Sequence, residues 1–386
     1  LISKVTPESV HLRHELHKIP EIAGQEFKTS AAVRNALAPL ELELQQPFLK
    51  TDVIALLNRE KKGNITLRAD MDALPITETH TERTYCSIHP GMMHACGHDG
   101  HTAMLWGAAK VLSAMRDEIP CSVRFLFQPG EEIACLAKNL ISTSALKDPE
   151  PDFITGLHNW PNEPYGKICS KPGIMMAAAG FFKILLYGKS GHGSLPALAI
   201  NPIECAAEII TACKDIVPKD CVLSFCSCSS SGSKNNTIIP DMVELLGTIR
   251  FLNRENGEIL LKKFNEVTDE ISSKYSVKYN FSCPVPYLPV INEPSSFVKI
   301  QKIVVEQLGK EQFHELSAHV MSSEDFSWYL EKYPGVFCHL GAGDGLSLHS
   351  SNYDFDDSLI PVGIRYFCAV CLSSNLFCQQ QINAGN

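Results

Sequence analysis

Residues 65–132 carry the pattern that decides the fold: ITLRADMD (65–72), HACGHDGHTAMLWGAAKVLSAM (94–115) and SVRFLFQPGEE (122–132). An apolar run at 65–69 ends in Asp70 and Asp72, and a second at 122–127 ends in Gln128, Glu131 and Glu132. Between them a helix is predicted from about 100 to 115, because Met104, Ala108, Val111, Leu112 and Met115 share one face. Strand, helix and strand in this order point to a largely parallel sheet covered by helices. In such a sheet, ligands bind beyond the carboxyl ends of the strands.

Outward from this stretch the alternation continues. Thr6 reads as the N-cap of an opening helix, with Pro7 at its first position and Pro20 as its stop. A second helix is expected at 30–40 and a strand at 53–57. Downstream come a strand at 153–157 followed by His158, a helix at 296–308, and a strand at 335–340. A Gly-rich loop then leads to His349, and a last helix spans 360–376. The middle reads differently. Strands at 181–187, 222–228, 242–250 and 277–281 and helices at 202–214 and around 259–271 give the order β-α-β-β-α-β, the ferredoxin-like layout. Ala177–Gly180 and the prolines at 284, 286 and 289 bound it as linkers. The expected organisation is α/β: residues 1–177 and 289–386 form a larger discontinuous domain, and 178–288 a smaller inserted ferredoxin-like α+β domain.

The 386 residues suit about two domains, and a chain this long buries a core without disulfides. Forty-three acidic against 34 basic residues argue against nucleic acid or an anionic membrane as partner. No stretch approaches the roughly 20 apolar residues of a membrane span, and residues 1–7 lack the layout of a secretory leader. The 15 cysteines are odd in number and scattered, which reads as reduced thiols in a cytoplasmic protein.

The unusual polar residues fall at one sheet edge. Cys96, His98, Glu132, His158 and His349 combine thiolate, imidazole and carboxylate, a donor set for zinc, manganese or a related ion. Five donors exceed one closed tetrahedral site and suit two divalent ions that share a ligand. The glycines at 97 and 100 let Cys96 and His98 face one point. In the Glu131–Glu132 pair, one carboxylate can bind metal while its neighbour acts as general base toward water and returns the proton to a leaving nitrogen. Taken singly, each residue has an ordinary structural explanation, and His94 and His101 suit a role in holding the loop. Their coincidence at one sheet edge is what points to a metal site.

These motifs resemble the dinuclear metal-dependent amidohydrolases of the aminoacylase and carboxypeptidase-G-like metallopeptidase superfamily. The branch concerned holds hippurate hydrolases, N-acyl-amino-acid amidohydrolases and auxin-conjugate hydrolases. The resemblance rests on RHELHKIPE from Arg13, RADMDALPI from Arg68, HACGHDGHT from His94, QPGEE from Gln128 and GLHNWP from Gly156. GKSGHGSLP from Gly188, IIPDMVELLGTIR from Ile238, SSEDF from Ser322 and HSSNYDFDD from His349 complete it. It implies a catalytic domain in 1–177 and 289–386 with 178–288 as its inserted lid, and Cys96 as bridging ligand, with His98, Glu132, His158 and His349 as the other metal ligands. It further implies Glu131 as general base, Asp72 as the carboxylate orienting a ligand His, and His192 as the lid residue that steadies the oxyanion. Arg250 is a candidate for the substrate carboxylate, and Asn236 stands beside it as a substrate-binding candidate. Ala197 after Pro196, and Thr237 with Asn235 and Asn236 alongside, depart from the family pattern on the lid side, where substrate is gripped.

The expected function is hydrolysis of N-acyl amino acids, such as N-acetyl or N-benzoyl compounds, with two divalent ions (zinc, manganese or nickel) and a small-molecule substrate. A homodimer paired through the lid is expected. A dipeptidase or aminopeptidase on the same centre is the alternative, and a binding protein that has lost catalysis the remote one.

Overall fold

The computed structural model of the chain describes residues 1–80, 82–132, 134–231, 236–345 and 347–378. They form two compact units: Leu1–Met175, Ile291–Ala318 and Asp325–Asn386 make the first, Met176–Val290 and His319–Glu324 the second.

The first unit is organised by an eight-stranded sheet. Its centre is parallel: Ser122–Gln128 pairs with Asn64–Asp70, which pairs with Phe153–Trp160, which pairs with Gly335–Gly341. Every residue of Asn64–Asp70 and Ser122–Gln128 is buried, as a sheet covered on both faces requires. Antiparallel strands flank this core, Val53–Leu57 on one side and Ile168–Ser170 on the other. The helix His98–Ala114 packs against Ile2–Lys18 and Ile360–Leu372, and 14 of its 17 residues are buried, which explains why it is apolar on more than one face.

Two local expectations are corrected. The first helix starts at Ile2, so Pro7 lies inside it and Thr6 is no cap; the Thr6 hydroxyl donates to Ile2 O at 2.9 Å. Starting earlier buries Val5 on the face shared with Ser9, Arg13 and Leu16. His158 lies within its strand rather than after it, because pairing with Gly335–Gly341 continues to Trp160.

The second unit has four antiparallel strands in the order Cys221–Ser230, Met242–Phe251, Ala178–Tyr187, Lys278–Ser282. In chain order that is 2-3-1-4, the ferredoxin-like arrangement. Two helices cover one face. Pro202–Ala212 is capped by Asn201, whose side chain accepts from Ile203 N, and Arg254–Lys274 by Asn253. Phe264 meets Phe182, Phe225 and Phe281 edge to face at 4.9–5.9 Å between centroids. The segment His319–Glu324 joins this unit because Val320 O and Ser322 O accept from Ala177 N.

Candidate metal centre

The parallel strands of the first unit deliver their polar ends to one place. Gly97, at φ +91°, turns the chain before the helix His98–Ala114, and a Cβ at this position would collide with Asn159 Oδ1. The turn lets Cys96 and His98 both face inward. His349 reaches the same point from a distant loop: its N–H donates to Ala95 O at 2.8 Å. Its backbone takes φ +60°, uncommon outside glycine.

All five expected donors meet. Cys96 Sγ lies 3.4 Å from His158 Nε2 and 3.3 Å from His349 Nε2. Glu132 Oε1 lies 3.3 Å from His349 Nε2 and 3.8 Å from His98 Nε2. Edges of this length match donors about 2.0–2.3 Å from a common cation. Cys96 thus lies within reach of the imidazoles of both His158 and His349.

The imidazoles are aimed by their other nitrogens. His158 Nδ1 donates to Asn159 O at 2.7 Å, which turns the Nε2 lone pair toward Cys96. His98 Nδ1 lies 3.3 Å from Asp72 Oδ1 in an ion-pair contact, and neither of its buried ring nitrogens makes a hydrogen bond among the described residues. Asp72 also accepts the backbone N–H groups of Glu131 at 3.0 Å and Glu132 at 2.9 Å. It thereby aligns one ligand imidazole and the carboxylate pair at once. Glu131 is buried, and its Oε1 accepts the N–H of Asp325 at 3.3 Å. Asp325 is itself held by Arg68, Gln128 and the Ala137 amide.

The electrostatics ask for cations. Burial opposes a charged His98, but Asp70, Asp72 and Glu132 outweigh it and push its pKa up to about 10. Burial and the neighbouring Glu132 and Glu131 carboxylates push the Cys96 thiol well up, so its thiolate needs positive charge close by. Burial holds His158 well below the ordinary value, a neutral imidazole ready to donate its lone pair. The residues present therefore fit divalent cations.

His101 holds the loop as expected, 2.6 Å from Asp70 Oδ1 and 2.6 Å from Asn159 Oδ1. Reading the sequence missed Glu26, Asn159, Tyr353 and Asp325. Asn159 and Asp325 lay inside the quoted motifs GLHNWP and SSEDF, and Asn159 Nδ2 donates to Tyr353 OH at 2.6 Å.

The second unit carries the other candidates. His192 is exposed, with Nδ1 2.8 Å from Ser194 Oγ and 3.2 Å from Ser194 N. Arg250 donates to Ile249 O at 3.1 Å and to Thr248 Oγ1, with its guanidinium 5.5 Å from the Phe181 ring centroid. Asn236 is exposed in a turn, and Asn235 lies outside the described residues.

Comparison with known proteins matches residues 66–373 to the model of peptidase family M20/M25/M40. N-acetylcysteine deacetylase of Bacillus subtilis (strain 168) is 34% identical over 371 residues, covering 94% of this chain and 96% of its own. IAA-amino acid hydrolase ILR1-like 2 of Arabidopsis thaliana is 34% identical over 369 residues, covering 92% and 82%. Among solved structures, the YXEP protein of Bacillus subtilis, described as a dinuclear metal-binding peptidase of the M20 family, superposes with a TM-score of 0.81 at 32% identity, over 96% of this chain and 98% of its own.

Proposed function

This chain belongs to peptidase family M20/M25/M40, and from that premise we propose that it hydrolyses the amide of N-acyl amino acids to a carboxylic acid and a free amino acid. The observation that carries the reading is the pinned carboxylate pair. Asp72 fixes the amides of Glu131 and Glu132, so that Glu132 joins Cys96, His98 and His349 while Glu131 stands next to them. The deacetylase and amino-acid-conjugate hydrolase that resemble the chain work on bonds of this class, as their names state.

Cys96, His98, Glu132, His158 and His349 would hold two divalent ions, which when bound would supply the positive charge that polarises a carbonyl and acidifies water. Glu131 accepts the proton of the attacking water and returns it to the leaving amine nitrogen. We assign His192 to the oxyanion, Arg250 to the substrate carboxylate and Asn236 to substrate binding, with the second unit serving as lid. Cys221–Ser230, an uncharged edge strand, supports pairing of two copies through the same unit. None of the 15 cysteines, all among the described residues, is in a disulfide, which suits the reducing cytoplasm, and no described helix is long and apolar enough to cross a membrane.

The test is Glu131→Gln, loaded with manganese or zinc, on N-acetyl and N-benzoyl amino acids beside free dipeptides. A loss of about 10³ in kcat with metal retained is expected. Near-wild-type turnover by the variant defeats the mechanism, and a preference for dipeptides redirects the substrate class.

A further inference from the structure

Glu26 is fully buried in the first unit, far in sequence from the donor residues. Its Oε1 accepts the N–H of Gly24 at 2.7 Å and the N–H of Gly130 at 2.9 Å, and its Oε2 accepts the Thr51 hydroxyl at 2.8 Å. Gly130 is the residue before the carboxylate pair, and the next two amides, of Glu131 and Glu132, go to Asp72. Three consecutive N–H groups thus converge on two carboxylates. Successive amides that point into one concavity form an anion site, and here the protein fills it with its own side chains. The bend that makes the concavity is Gly130 at φ +65°.

The two carboxylates also travel together. Ile22 and Ala73 form a parallel bridge, with Ala73 N donating to Glu21 O at 2.8 Å. The segment entering Glu26 is thereby tied to the residue after Asp72. The pairing has an electrostatic cost, since burial and then the Asp72 charge raise the Glu26 pKa to about 7. What that arrangement secures is a turn whose donors are all matched by acceptors.

We propose that Glu26 is a positioning residue for the hydrolysis: through the Gly130 amide it sets, with Asp72, the turn that aims Glu131 at the reacting water and Glu132 at the cations. The inference rests on the reaction proposed above. Its requirement is reach rather than charge, which two conservative variants separate. Glu26→Gln keeps the length and a carbonyl oxygen for the Gly24 and Gly130 amides, and the Thr51 hydroxyl can turn to accept from the new NH₂. Glu26→Asp keeps the charge but is one methylene short.

The experiment measures kcat and KM of wild type, Glu26→Gln and Glu26→Asp on N-acetyl amino acids, and manganese binding by calorimetry. The expected result is Glu26→Gln within about threefold of wild-type kcat and Glu26→Asp lowered about 30-fold, both with KM within about twofold. Manganese binding should weaken about tenfold in Glu26→Asp alone. The proposal is overturned if Glu26→Asp matches wild type, if Glu26→Gln falls as far as Glu26→Asp, or if the loss appears in KM with kcat intact. A kcat deficit that vanishes on cooling would mark simple destabilisation and also overturn it. If wild type cleaves no substrate of the panel, the hydrolytic reading fails, while the manganese titration still decides whether Glu26 governs Glu132.

Discussion

Arg13 donates from Nε to Asp99 Oδ2 at 2.9 Å, and both side chains are fully buried. The same guanidinium donates to Asp357 Oδ1 at 3.0 Å and to Asp354. One side chain therefore ties the first helix to the helix that follows the Cys96–His98 turn and to the segment that follows His349. Arg13→Met should remove one of the two cations that face buried Asp99, the other being His17, and destabilise the protein by about 3–5 kcal/mol, read by urea denaturation. Arg13→Lys should recover only part of this, because a point charge cannot serve three directions at once.

His17 makes stability depend on pH. Its Nδ1 lies 2.8 Å from Asp99 Oδ2. Burial works against a charged His17, but Asp99 outweighs it and raises the pKa to about 9, against about 6.5 in an unfolded chain. A raised folded-state value gives stabilisation that is complete below about pH 6.5 and is lost as pH climbs through about 9. Unfolding free energy should fall across that window, by at most about 3 kcal/mol from this group. His17→Gln should flatten the slope in paired denaturation series, and an unchanged slope would refute the assignment.

Gly97→Ala should damage the centre from the backbone outward. The residue sits at φ +91° and an added Cβ would meet Asn159 Oδ1, so strain of about 1–2 kcal/mol adds to a steric conflict. Weaker metal binding with little change in the far-UV circular dichroism spectrum is expected. Retention of wild-type metal affinity would show that the turn tolerates a side chain.

Cys96 touches both His158 and His349, so Cys96→Ala should lower metal content at both positions, whereas His158→Ala should spare one. Elemental analysis after gel filtration distinguishes them. Chelation should abolish turnover and lower the melting temperature. Free metal at 100 times its Kd stabilises the folded state by about 2.7 kcal/mol.

The donors, Glu131 and Asp72 were legible because metal-assisted hydrolysis accepts few residue types and the topology confines them to strand ends. Glu26 was not, because its work is to accept a backbone N–H from a turn 104 residues away, and nothing in the letters around it marks that partner. Asn159 was hidden by the strand boundary. The run seemed to end at 157, but its pairing with Gly335–Gly341 extends it to Trp160, which carries His158 to Cys96 and Asn159 to His101. The Thr6–Pro7 signal failed for the opposite reason. It is a sound local cap signature, overridden because a longer helix buries Val5.

The Ala95 carbonyl that receives the His349 amide has a bearing on biosynthesis. A ribosome moving from the amino end finishes the entire inserted unit before it makes His349. Nascent chains arrested short of that residue carry four of the five donors and have no means of closing the ring. Full metal affinity is thus reached only after the inserted unit has been synthesised, when His349 arrives to meet both Cys96 and Glu132.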